Sequence, residues 1–173
     1  MTKLFIRDWE RCLEAWLLGH SGRSERAYVC SPLCADTAGC IMLNMKGARA
    51  YMYYISQVFG CSPRAPHAYL PLVLDDQKEG ERKHALKLGL LMLDKCDCVY
   101  VCGDRVSEGM AGEIARAVSR KIPVYTFTEA AYSRARAIAK RGGDTGGITW
   151  VRGHPFLELS PSRAYMAACD CAQ

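Results

Sequence analysis

The sequence has no apolar run long enough to cross a bilayer, no CxxC pair and no internal repeat. The first absence excludes a membrane-spanning helix, and the second removes the spacing that zinc knuckles and thioredoxin-like sites prefer. An apolar leader region is missing too, because Met1–Ile6 is followed at once by Arg7, Asp8, Glu10 and Arg11. A cytoplasmic chain with reduced thiols is therefore expected. With 173 residues there is room for one ordinary core and little for a second. Half the residues are hydrophobic and 24% are charged, which excludes a disordered or fibrous chain. The surplus of 23 lysines and arginines over 18 acids, a net +5, is too small to imply nucleic acid by itself and is consistent with a small anionic ligand.

Ten cysteines are present, and by type alone they are compatible with disulfides, zinc or small buried side chains. Their spacings are CxC at Cys96/Cys98 and Cys169/Cys171 and CxxxC at Cys30/Cys34 and Cys98/Cys102. Cys96, Cys98 and Cys102 fall in or beside an apolar strand, so they are read as reduced core residues. Neither a metal nor a cofactor is expected.

Residues 8–19 place Trp9, Cys12, Leu13, Trp16 and Leu17 at helical spacing, with Asp8 as a cap and Gly19 as a stop. Residues 27–32 form a short strand that breaks at Ser31-Pro32, and a helix follows from Ile41 to Phe59, ending at Gly60. Residues 65–72 read as a second strand whose prolines suit its ends or a sheet edge, and 79–95 as a helix striped by Ala85, Leu88, Leu91 and Met92. The clearest strand is 98–102, apolar without alternation and so central. A helix capped by Ser107, a strand at 123–127, a basic helix at 129–141 and a short strand at 148–151 complete the pattern, and the stretch from Ser160 reads as a helix or tail packed outside. This alternation predicts an α/β protein. It is a three-layer Rossmann-like or flavodoxin-like open parallel sheet of four to five strands with helices on both faces.

Chemistry concentrates after the central strand. Ser107 and the first N–H groups of its helix can hold an anion or a sugar hydroxyl, and Gly109 and Gly112 let the backbone come close. Glu113 falls in the second turn, where the helix dipole favours its ionised form, ready to act as a nucleophile or to grip sugar hydroxyls. Asp97 reads as a capping or turn residue. The run RGGDTGG lacks the Lys-Ser/Thr ending of a phosphate loop and reads as a connection.

The run CDCVYVCGDRVSEGMAGEIARAVSRKIPVYTF resembles the strand-loop-helix of the nucleoside 2-deoxyribosyltransferase superfamily, which includes deoxynucleotide N-glycosidases. Within it the likeness is to uncharacterised deoxyribosyltransferase-like domains. Asp97 opens the strand, and Ser107, Gly109, Glu113 and Ile114 fit the pattern S/D-x-G-x-x-x-E-[IL], followed by Ala117. The opening Tyr28-Val29-Cys30-Ser31-Pro32 is similar to the first strand and substrate loop of that superfamily, and Ala65-Pro66-His67 to a signature of the uncharacterised branch. The resemblance spans residues 27–127. It divides the chain into an amino-terminal helix and linker (1–26), the α/β core (27–127) and a carboxyl-terminal extension packing on the core (128–173).

This resemblance implies that Glu113 attacks the anomeric carbon of a deoxyribonucleoside or its monophosphate, while Ser107 binds the 5′ end. The sugar then passes to water or to another base in a retaining double displacement. Active members carry a further carboxylate about two helical turns before the strand; the equivalent place is near Gly89, where there is no acid. His67, Asp75 and Asp76 are the candidates to supply the missing proton donor. Candidate ligand contacts are Ser31, Pro32, Asn44 and Arg49 from the first half, and Gly103, Ser107, Gly109 and Met110 after the central strand. Arg49 and Arg82 are the cations able to clamp a phosphate. The resemblance also implies a homo-oligomer, for which the tyrosines of helix 41–59 would suit the interface.

The reading leans to an N-glycosidic-bond hydrolase or transferase. A non-catalytic nucleotide-binding module is the alternative, motivated by the missing acid. A nucleic-acid contact through Arg134, Arg136, Lys140, Arg141, Arg152 and Arg163 ranks lowest, since these cations are spread out among acids.

Overall fold

A computed structural model describes residues 24–33, 37–75, 78–143 and 146–170. The helix expected at 8–19 and Asp76 lie outside these residues. The elements are β1 (Arg26–Cys30), α1 (Ala38–Phe59), β2 (Ser62–Arg64), 3₁₀ turns at Pro66–Ala68 and Leu70–Leu72, α2 (Glu79–Leu93), β3 (Cys98–Val101), α3 (Glu108–Ser119), β4 (Val124–Thr126), α4 (Glu129–Arg141), β5 (Ile148–Trp150), α5 (Pro155–Glu158) and α6 (Pro161–Asp170). Five strands form one sheet in the order β2-β1-β3-β4-β5, every neighbouring pair parallel. The fold is the expected α/β open sheet, in the flavodoxin-like strand order.

The second strand is a correction. It occupies Ser62–Arg64, ahead of the expected 65–72, and the prolines at 66 and 71 each open a 3₁₀ turn instead. Pro fixes φ near the helical value and donates no ladder hydrogen bond, so it suits the first position of a turn better than a strand.

The period of two along β1 and β3 sends alternate residues to opposite faces. Tyr28, Cys30, Val99 and Val101 pack with Leu93, Met110, Ile114 and the buried side of α4. Ala27, Val29, Cys98, Tyr100 and Cys102 pack with Ala48, Tyr51, Ile55, Phe127 and Leu157. Both faces are covered, which is why these strands are apolar without a break. Cys30, Cys61, Cys96, Cys98 and Cys102 are free and buried, acting as core residues.

Helix ends follow local chemistry. Thr37 caps α1 by accepting from Cys40 N at 3.2 Å, and Gly60 ends it at φ 66°, a left-handed conformation that glycine adopts without a Cβ penalty. Asp97 is paired rather than a simple cap: it binds Arg26 through two side-chain contacts of 2.8 and 3.0 Å and accepts the Arg26 backbone N–H at 2.8 Å. The carboxyl-terminal segment closes the α1 face. Tyr54 stacks on Phe156 with centroids 4.9 Å apart, and Tyr51 meets the same ring edge-on. Tyr51 is thereby a core residue, while Tyr54 is half-buried.

Helices α1 and α6 touch where α1 has no side chain. A Cβ built on Gly47 would lie 2.1 Å from the Pro161 carbonyl oxygen, so only glycine fits unless a backbone moves. Gly47→Ala is expected to destabilise the protein by about 1–3 kcal/mol through overpacking. Denaturant unfolding checks it: an unchanged midpoint at unchanged slope would show that the two helices do not meet here.

Candidate functional site

From β1 the chain turns to β2 on one side and later returns to β3 on the other, so the carboxyl ends of β1 and β3 flank a topological switch point, where open α/β sheets bind ligands. Helix α3 starts beyond β3. Its cap is Ser107, whose Oγ accepts from Met110 N at 3.3 Å. Six residues on, Glu113 is turned back toward β1.

The Tyr28 hydroxyl donates to Glu113 Oε1 at 2.7 Å. The Cys30 thiol lies beside the same carboxyl and favours its ionised form, while it donates to the Met110 carbonyl at 4.0 Å. Burial raises the Glu113 pKa above the usual carboxylate value, and Cys30 and Tyr28 oppose that rise. Desolvation therefore outweighs the helix-dipole effect expected from the sequence. Burial first, and the neighbouring carboxylate second, push Tyr28 and Cys30 well above their ordinary values, so both stay protonated donors.

Glu113 and His67 line one cavity of about 70 Å³. Its remaining wall is apolar and includes Leu33, Pro66, Leu70, Leu86 and Gly89. A Cβ on Gly89 would lie 3.4 Å from the Tyr28 hydroxyl, so the position that lacks an acid borders the phenol holding Glu113. Across the switch point, His67 Nε2 lies 2.7 Å from Ser31 Oγ. Burial pushes the His67 pKa down to about 4, which leaves a neutral imidazole at pH 7.

The other expected residues take supporting positions. Asn44 Nδ2 donates to the Leu33 carbonyl at 3.0 Å and fixes the loop after β1. Arg49 donates to the Ala68 carbonyl through Nε and Nη2 at 3.1 and 2.9 Å, and so steadies the turn that carries His67. Pro32 packs on Gly103, where φ is 102° and an added Cβ would come within 3.0 Å of the proline ring. Met110 is buried in the core and Gly109 is exposed. Asp75 is exposed, with its carboxylate 3.8 Å from Lys78 Nζ, and does not line the cavity. Tyr28 and Cys30 escaped sequence reasoning as site residues. Their signal was the two-residue alternation that puts them on one face of β1.

A larger cleft of about 580 Å³ opens between α3 and α4 beside Lys121, Arg134 and Arg141. It contains no carboxylate or imidazole, whereas the smaller cavity has both. Among the described residues no three His, Cys, Asp or Glu side chains converge as a metal site, and no helix is long and apolar enough to cross a membrane.

Fold and site together define a flavodoxin-like α/β domain with a buried carboxyl at its switch point. The chain belongs to the family described as a domain of unknown function, DUF7768, whose sequence model matches residues 25–127. No curated protein matches it. Among solved structures, a 2-deoxyribosyltransferase from the psychrotolerant bacterium Bacillus psychrosaccharolyticus is similar at 17% identity and a TM-score of 0.43, over 59% of this chain and 71% of that one.

Removing the phenol deletes a bond that favours the ionised carboxyl. Tyr28→Phe is therefore expected to raise the titration midpoint of Glu113, followed by NMR of protein labelled with ¹³C-glutamate. A midpoint that stayed in place or fell would take Tyr28 out of the site.

Proposed function

We propose that a deoxyribonucleoside or its monophosphate binds at the switch point, with only its reacting part entering the small cavity beside Glu113, and that Glu113 is the nucleophile in cleavage or transfer at the N-glycosidic bond. One observation carries this reading: a carboxyl, alone among apolar walls, accepts from a neutral phenol, with a neutral thiol beside it, in a cavity shared with an imidazole. A Glu113 oxygen forms a bond to the anomeric carbon as the bond to the base breaks, and the electron pair leaves with the base. Water or a second base then attacks the same carbon and releases Glu113. Tyr28 holds the carboxylate and, with Cys30, stabilises its ionised form before attack. Ser107 and the first N–H groups of α3 receive the 5′ end of the ligand, as the helix amino terminus favours an anion or hydroxyl. Arg49, committed to Ala68, is not assigned to a phosphate.

A homo-oligomer is part of the same proposal. The exposed Tyr69, Leu72, Val73 and Leu86 near the cavity support it. Free buried thiols support a reducing, cytoplasmic setting.

Gly89 favours a second reading, a module that binds a nucleoside or nucleotide without turnover. Incubation with a panel of deoxynucleosides and monophosphates, with chromatography for free base, separates the two. Wild type is expected to release base, and Glu113→Gln to lower the rate by roughly three orders of magnitude or more. Equal release by both proteins defeats the enzymatic reading; thermal stabilisation by a panel member without release supports the binding module.

A further inference from the structure

The Ser31–His67 contact joins the end of β1 to the first 3₁₀ turn, and the pair holds two hydrogens but makes one contact. Ser31 is 4% exposed, and its hydroxyl has no hydrogen-bond partner besides His67 among the described residues. If the imidazole proton were on Nε2, it would point at Ser31 Oγ and leave the serine proton without an acceptor. If the serine donates to Nε2, its proton is satisfied, and the imidazole carries its own proton on Nδ1. Nδ1 makes no hydrogen bond within the described residues, yet it is not a sealed orphan atom, and the ring lines the cavity. In that tautomer the Nδ1–H has no partner among the described residues and is left for a ligand in the cavity.

We propose that Ser31 is a positioning residue that locks His67 as its Nδ1–H tautomer, and that this N–H recognises a hydrogen-bond acceptor on the leaving base, a ring nitrogen or carbonyl oxygen next to the glycosidic bond. The inference rests on the N-glycosidic reading and deepens it. A neutral imidazole donates without itself being deprotonated, and it stabilises charge that builds on the base as the bond breaks. The low pKa keeps the ring neutral at pH 7, so it carries a single N–H, and the Ser31 contact decides which nitrogen holds it. Glu113 is the titratable group that shares the cavity, and it is not needed as a donor. The departing base takes its final proton from water.

Two measurements test this separately from turnover itself. In the full chain labelled with ¹⁵N-histidine, two-bond proton–nitrogen correlations report which ring nitrogen of each of the four histidines is protonated, and the His67 signals are those missing from His67→Asn. The expected result is a protonated Nδ1 at pH 7 that loses definition in Ser31→Ala and shifts when adenine is added. A protonated Nε2 overturns the proposal, whatever the activity assay shows. In kinetics, the amide nitrogen of His67→Asn stands near Nδ1 and that of His67→Gln near Nε2. His67→Asn should retain at least tenfold more kcat for base release than His67→Gln, by the usual worth of one donor to a developing charge. The reverse order would show that the Ser31 link alone matters. If wild type releases no base but shows the Nδ1–H tautomer and the adenine shift, the glycosidic reading fails and the recognition of a base acceptor stands.

Discussion

The pairing of β1 with β3 governs the rest of the molecule. Four residue pairs run in parallel register from Ala27↔Cys98 to Cys30↔Val101, and Cys102 N extends the ladder to the Cys30 carbonyl at 2.9 Å. Asp97 fixes the start of the ladder, because its side chain grips Arg26 while its N–H donates to the Arg26 carbonyl at 2.8 Å. A slip of one residue would turn Tyr28 and Cys30 away from α3 and bring Ala27 and Val29 to that face. The hydrogen bond from Tyr28 to Glu113 would go with them. Register at the centre of the sheet and the protonation of the site are thus one constraint.

That constraint explains how an acidic residue is tolerated in this position. A carboxylate buried without partners costs several kcal/mol, and such a group ordinarily takes up a proton instead. Here the Tyr28 hydroxyl donates to it and the Cys30 thiol lies beside it, and neither carries charge. They offset part of the desolvation without pinning the carboxylate as an arginine would. A salt-bridged carboxylate such as Asp94, gripped by Arg116 at 2.6 Å, has its pKa lowered, and its charge is committed. Glu113 stays the more basic of the two, because burial raises its pKa while Arg116 lowers that of Asp94.

Much of this frame is legible in the residue pattern. The uninterrupted apolar run at 98–101, the Ser107 cap and the glycine after Phe59 each encode their element locally, and the structure has all three. Glu113 could be singled out by its spacing from Ser107 because one helix carries both. Tyr28 and Cys30 could not, since their role arises from strand pairing between residues 85 and 83 positions away from Glu113 in the chain, a relation no local window contains. The second strand misled for a related reason. Residues 65–72 are as apolar as a strand, and only the tertiary setting distinguishes a short edge strand at 62–64 followed by two proline-led turns. The burial of Tyr51 was equally hidden, because part of its cover comes from Phe156, about a hundred residues later in the chain.

Gly89 brings these lines together. An acid there would stand against the Tyr28 hydroxyl and compete with Glu113 for its proton, placing two carboxyls in one small apolar cavity. Like charges in such a space cannot both ionise, so one would hold a proton at neutral pH and the other would act. With glycine at 89 the cavity holds one carboxyl, and every polar partner it meets is neutral: a phenol, a thiol and, across the space, an imidazole. A site built this way sets charge on Glu113 by solvation rather than by repulsion. Its chemistry then depends on how completely a bound ligand removes water from the cavity, because each displaced water leaves the carboxylate more reliant on Tyr28 and Cys30.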